Sequence, residues 1–316
     1  MAITTTSSLP APVQQSFSYK LLAVATPSLI HTIAATRKIM PRNGGKTMRF
    51  RRYNPLSTAK VPLGNSGVTP AAQNLTALDI DATISFYGTY VAINEQVTLQ
   101  NQDPVLNEAA KRLGVSLRQT EDELTRDMLA ATAAFVNCIQ GSNGDNPTEI
   151  TFEDVTNAVS TLVTANAQTI TSGVEGSLQF GTSPVRDAFF ALASTEIIPD
   201  LEQCSGFVSK NNYPSSKNES LPSEWGSISN LRFMVSSIGS IARASSMNGA
   251  DVRRVICVGM DAYAVVEQDG YSASFIYTPP YLTGPLALNC YAGWKAAMCP
   301  RILNDAWILS LNCTPA

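Results

Sequence analysis

The 316-residue chain is short of charge: Asp, Glu, Lys and Arg make up 15% of it, against roughly 25% in an average soluble domain. It holds a single histidine, His31, so any Ser/His or Cys/His catalytic pair must use that residue, and nothing near it resembles a catalytic motif. A packing or surface role suits His31 better. Its six cysteines (Cys138, Cys204, Cys257, Cys290, Cys299 and Cys313) include no CxxC pair, which argues against a zinc ribbon or a dithiol redox centre; six free thiols are expected. No uninterrupted apolar run reaches the roughly 18 residues of a membrane span. Phosphate loops, GxGxxG turns, GxSxG elbows and HExxH helices are absent as well, so no cofactor, metal or catalytic residue is predicted. The net charge of −3 speaks against a nucleic-acid reader that relies on overall basicity.

Acidic residues are also missing from the whole first quarter, since the first is Asp79. Residues 1–78 carry nine bases and no acid, a net +9, while the remainder, with 13 bases and 25 acids, carries −12. A basic arm joined to an acidic body satisfies itself or, where the arm reaches outward, a neighbouring copy. Lys46 to Tyr53 places Met48 and Phe50 on one face of a strand and Arg49 and Arg51 on the other. About twenty residues rich in Pro, Gly, Ser and Thr follow. A second period-2 run then alternates Leu78, Ile80, Ala82, Ile84 and Phe86 with Asp79, Asp81, Thr83, Ser85 and Tyr87. Two strands with a long tip predict an extended hairpin over residues 42–97, with Asp79 and Asp81 opposite Arg49 and Arg51. A metal role for the two aspartates has no further ligand to support it.

Asp103 as N-cap and Pro104 at the first helical position predict a helix. Leu106, Ala109, Leu113, Leu117, Thr120, Leu124, Met128, Ala131 and Phe135 continue it at steps of three or four. The pattern predicts about 36 residues from Asp103 to Ile139, roughly 54 Å long. Lys111, Arg112, Arg118, Glu121, Glu123 and Arg126 then fall on a solvated or subunit-facing side. Beyond Pro147 the chain reads as mixed. Thr151 and Asp154 form a capping-box pair opening a helix, and Phe189 to Ala193 is a buried strand feeding a helix near Thr195, which Pro199 bends or ends. Lys210 to Ser223 is a polar loop. Further strands are expected at Leu231–Val235, Val252–Val258, Ala262–Glu267, Ser272–Tyr277 and Trp307–Leu311.

Several segments, taken in order, resemble a known family. They are Gly45 to Leu56 (GKTMRFRRYNPL), Gly67 to Pro70, the DPVL at Asp103, Leu124 to Asp127, Gly293-Trp-Lys295 and Leu303 to Trp307. Together they resemble the major capsid proteins of tailed bacteriophages, in the branch typified by the podovirus N-four, over about residues 40–312; the stretch from Lys210 to Ser223 departs from that pattern. The resemblance implies an α+β chain with the Hong Kong 97-type capsid fold. Its parts are an N-terminal arm (1–41), an extended hairpin or E-loop (42–97), a peripheral domain with a long spine helix (98–175), an axial domain (176–284) and a return to the peripheral domain (285–316).

The implied function is a shell. Copies assemble through hexamers and pentamers into an icosahedral capsid around double-stranded DNA, with contacts through Arg42, Lys46, Met48, Arg49, Phe50, Arg51, Arg52, Ile84 and Phe86, and with Asp103 capping the spine. Expected partners are a portal, a separate scaffolding protein, possible cement or decoration proteins and non-specifically held DNA, without membrane. Only some forty residues precede the hairpin, so little N-terminal cleavage is expected. Assembly is expected in the host bacterial cytoplasm. An encapsulin-like compartment and a soluble enzyme with an unrecognised site are the alternatives.

Overall fold

The basic stretch does form a strand, and its partner lies where the alternation puts it. In the computed structural model, residues 26–58, 60, 72–94, 105–131, 134–170, 187–213, 221, 223–242, 252–271, 273–279 and 288–315 are described. The chain enters through β1 (Thr36–Met40) and the hairpin pair β2 (Thr47–Tyr53) and β3 (Ala77–Thr83), then continues as β4 (Ser85–Asn94). Helix α1 (Val105–Ala130) and the short β5 (Phe135–Asn137) follow. Next come α2 (Phe152–Thr164), β6 (Phe189–Ser194), α3 (Ile198–Gln203), β7 (Val208–Ser209), β8 (Glu224–Ile228), β9 (Leu231–Ser236) and β10 (Ile241–Ala242). The last strands are β11 (Val252–Val258), β12 (Tyr263–Gln268), β13 (Ser274–Thr278), β14 (Asn289–Ile302) and β15 (Ile308–Cys313).

An eight-stranded mixed sheet runs β5-β15-β11-β6-β9-β8-β7, with β10 also on β11. Every residue of β6, β9 and β15 is buried, because both faces are covered, and such strands read as continuous apolar runs. Val155, Ala158 and Leu162 of α2, with Ile197 and Leu201, pack against Phe189, Ala191, Phe233, Val255, Cys257 and Leu311 on one face. On the other, Phe190, Leu192, Met234 and Ile256 meet Ile30, Leu129 and Tyr263. The capping box of α2 is complete: Thr151 Oγ1 accepts from the Asp154 backbone N–H, and Asp154 accepts from the Thr151 N–H.

A five-stranded sheet, β1-β12-β14-β13 with β4 on the other edge of β14, carries α1 on one face. Leu113 and Leu117 pack there on Ala292, Trp294, Ala296 and Met298, alternate residues of β14. The intervening Ala297 faces the opposite way and joins Met40, Ala82, Ile84 and Val266 under the hairpin.

The helix is shorter than the periodicity suggests. Its described span has 26 residues, about 39 Å at 1.5 Å per residue, and it ends at Ala130, whose carbonyl accepts from Arg254 of β11. The apolar step from Ala131 to Phe135 fits a strand as well as a helix, and Phe135 to Asn137 instead pairs parallel with Ser310 to Asn312. Pairing to a distant strand decides such an ambiguous short run. Glu121, expected on the solvated side, is 4% exposed and paired with Arg37 and Arg118. The helix expected near Thr195 is a 3-10 turn over Thr195–Ile197 that gives way to α3, and Pro199 sits in the first turn of α3, where its missing N–H costs nothing.

The two sheets also interleave along the chain rather than occupying consecutive blocks. β12 and β13 fall within the expected axial block yet lie in the five-stranded sheet, and β15, within the expected return, pairs with β11 in the eight-stranded one. Of the helix cap expected at Asp103 and the hairpin tip from 61 to 71, nothing is stated, since both lie outside the described residues.

Candidate functional site

The hairpin is a ladder of paired charges. Register sets Arg49 across from Asp81 and Arg51 across from Asp79, and each pair is bidentate. Arg49 Nε and Nη2 donate to Asp81 at 2.7 and 3.0 Å; Arg51 donates to Asp79 at 2.8 and 3.0 Å. The fork geometry matches a carboxylate edge on. Hydrogen bonds from Arg51 and Arg49 hold the Asp79 and Asp81 carboxyls below their ordinary range, and the same bonds raise both arginines above theirs. Both carboxylates are thereby spent on guanidinium groups rather than on a metal.

The arm is fastened to the body behind this hairpin. His31 is fully buried, with Nδ1 2.7 Å from Asp122 Oδ2 on α1. The Thr32 backbone N–H donates to the other Asp122 oxygen at 3.1 Å, and the Tyr263 hydroxyl donates to the His31 carbonyl at 2.6 Å. A buried carboxylate is tolerable when donors surround it, and here the donors come from the arm. Arg37 next bridges Glu121 and Glu267, tying arm, helix and β12 together. His31 is therefore a packing residue.

The predicted contact residues separate into spent and available groups. Arg42 pairs with Asp269 at 3.5 Å, and Arg49 and Arg51 pair inside the hairpin. Ile84, expected at a subunit contact, is 2% exposed and enclosed by Met40, Val266 and Ala297 of its own chain; it leaves the contact set for that reason. Met48 and Phe50 are half-spent, packed against the same cluster. Lys46 and Arg52 have no ion pair among the described residues. Phe86 is 69% exposed. The strand breaks at Ile84, whose N–H donates to Lys46 O. Beyond the break, β4 pairs with β14, so Phe86 falls on a different surface from Ile84.

That surface is the uncovered part of the five-stranded sheet. Phe86, Tyr90 and Ile276 are exposed there beside Tyr271 and Tyr291. The Phe86 and Tyr271 rings meet edge to face at 6.3 Å, and Tyr90 and Tyr291 at 5.9 Å. Gly88, Tyr90, Ile276, Thr278, Tyr291 and Gly293 line a hollow of about 500 Å³. A Cβ at Gly88 would meet the Trp294 carbonyl at 2.7 Å, and one at Gly293 the Thr89 carbonyl at 2.8 Å. The sheet's own packing thus requires both glycines and leaves the hollow between the rings. Nothing in this arrangement offers a nucleophile and base in reach of one another. The six thiols are unpaired, and burial pushes Cys257 up to about 12 and raises Cys138 and Cys313 as well, which leaves them poor nucleophiles.

No family model and no curated protein matches the chain. Solved structures do. The capsid of Ralstonia phage GP4 superposes with a TM-score of 0.72 at 13% identity, covering 96% of this chain and 96% of that one. The acid-stable capsid of Helicobacter pylori bacteriophage KHP30 gives 0.69 at 10% identity over 99% of each chain. The Cyanophage Pam1 capsid gives 0.67 at 12% identity over 96% and 97%. The fold is the Hong Kong 97-type capsid fold.

In this fold β2 and β3 are the two strands of the charged hairpin and α1 is the long helix. Sequence reading missed the aromatic face because its members are far apart in the chain. Tyr90 lies in the middle of β4, Tyr271 follows a turn, and Ile276 and Tyr291 come from β13 and β14; no local period links all of them. The available local signal was Phe86 and Tyr90, aromatic residues four apart on the same face of β4.

Proposed function

We propose that this chain is the major capsid protein of a tailed bacteriophage, forming hexamers and pentamers that close into an icosahedral shell around double-stranded DNA. The observation that carries the reading is the end-to-end match to phage capsid chains, 96% or more of both partners. The surface supports it physically. A monomer rarely exposes a contiguous apolar patch beyond a few hundred Å² without a partner for it, and here Phe86, Tyr90, Ile276 and their neighbours stand open on one sheet.

In this reading the hairpin of one copy lies across the five-stranded sheet of the next. The contact is heterologous, one surface against a different one, and rings close by rotation. Because Arg49 and Arg51 already have carboxylate partners, the hairpin docks as a stiff, neutralised ladder. Its ion pairs are exposed and screened by water and salt, so affinity comes from apolar burial at about 25 cal/mol per Å² repeated over many copies. Lys46 and Arg52 supply unpaired positive charge for steering. The eight-stranded sheet with α2 and α3 serves as the axial part, and the five-stranded sheet with α1 as the peripheral part. A portal, a separate scaffold, cement proteins and non-specifically held DNA complete the set of partners. The virion is the location, with assembly in the host cytoplasm, and the chain has no catalytic role.

Sedimentation velocity with negative-stain microscopy tests this directly, on the protein expressed alone and with its scaffold. Closed shells or hexameric rings are expected. A stable monomer or dimer in both conditions overturns the reading.

A further inference from the structure

Along β2 the charges alternate with apolar residues until Arg52. Arg52 is on the same face as Met48 and Phe50, across from Leu78, where the pattern calls for another apolar side chain. It overhangs a second hollow of about 370 Å³ between the hairpin and the body. Leu78 and Ile80 form one wall, Met128 and Ala131 at the end of α1 another, and Arg301, Ile302, Leu303 and Asp305 the floor. Arg52 and Arg301 both have no carboxylate within 4 Å among the described residues; Asp305 lies beyond that distance from each. Two guanidinium groups beside the apolar walls Leu78, Ile80, Met128 and Ala131 select a ligand that presents carboxylates beside an apolar side chain.

The chain carries one such surface elsewhere. At the start of α2, Glu149, Phe152 and Glu153 are exposed, Phe152 at 40%, along a separate hollow of about 580 Å³. Neither Glu149 nor Glu153 has an ion pair among the described residues. Groove and corner line different hollows of one chain, so they meet only between copies, head to tail.

We infer that the groove under the hairpin, flanked by Arg52 and Arg301, receives the Glu149–Phe152–Glu153 corner of a second copy of this chain. The inference rests on the shell reading and adds to it a charged contact apart from the aromatic sheet. Phe152 enters between the apolar walls while the two carboxylates face the two arginines. The contact fixes register, since like charges brought together there repel.

A charge swap tests it in the full chain, with shells counted by sedimentation and microscopy. Arg52→Glu with Arg301→Glu is expected to keep the wild-type melting temperature and lose about tenfold or more of the shell yield. Glu149→Arg with Glu153→Arg is expected to lose a similar amount, and all four changes together to restore shells. Should the first pair unfold the subunit, Arg52→Gln with Arg301→Gln serves in its place. Normal assembly by either pair alone overturns the inference, as does a four-fold variant no better than its parents. Failure of the wild-type chain to assemble defeats the shell reading itself, so the two failures are distinguishable.

Discussion

The eight-stranded sheet and the five-stranded sheet spend their apolar residues in opposite ways. In the first, helices on one face and the arm, α1 and Tyr263 on the other leave β6, β9 and β15 without an exposed position. In the second, α1 covers one face and the hairpin part of the other, and Phe86, Tyr90 and Ile276 on that second face stay open. The same residue types thus stabilise the subunit in one sheet and remain available for association in the other. The charges divide in parallel: Glu224 and Arg232 pair in the interior, at 0% and 3% side-chain exposure, with bonds of 2.7 and 2.8 Å, whereas the hairpin pairs lie in water.

Substitutions on the two sides should separate sharply. Glu224→Ala leaves the Arg232 guanidinium buried without that carboxylate and is expected to cost about 3–5 kcal/mol by denaturant unfolding. Phe233→Ala, at a position with no exposure, should cost a similar 3–5 kcal/mol. A cost below about 1 kcal/mol for both would erase the contrast between the sheets. Thr151→Ala removes the cap of α2 and should cost about 1 kcal/mol, readable as a lower melting temperature. Phe86→Ala with Tyr90→Ala should move subunit stability by no more than about 0.5 kcal/mol while depressing assembly. A large loss of subunit stability would place these rings in the fold rather than at a contact.

The hairpin sharpens the comparison by pH. Its aspartates are held below the ordinary carboxylate value of about 3.9 by Arg51 and Arg49. Their contribution is therefore fully present above that value and is lost as pH falls through the lowered ones. Carboxyl titration of Asp79 and Asp81 by NMR should give midpoints under about 3.9; midpoints at or above it would mean the ladder does not persist in solution.

Much of this division was legible in residues that are close in the chain. Alternation placed Met48 and Phe50 opposite Arg49 and Arg51, and the register pairs those arginines with Asp81 and Asp79 as the spacing required. Thr151 with Asp154 announced the start of α2. By contrast, β14, at 14 residues the longest strand, has small, polar and sulfur-bearing residues mixed in NCYAGWKAAMCPRI and no steady period, since both its faces are covered over part of its length. Ile84 and Phe86 share one alternating run, yet a break in pairing at Ile84 turns one into the core and the other to the surface.

The amino-acid sequence by itself determined the elements whose partners are near: the charged hairpin, the capped helix, the apolar strands, and the separation of a basic first quarter from an acidic remainder. Tertiary structure decided what those elements spend. Arg37 and Arg42 found carboxylates more than two hundred residues away at Glu267 and Asp269, α1 stopped where Arg254 reached the Ala130 carbonyl, and His31 closed on Asp122. Local periodicity reports which face of an element is apolar. Whether that face is covered, and by what, depends on surfaces brought together only by folding.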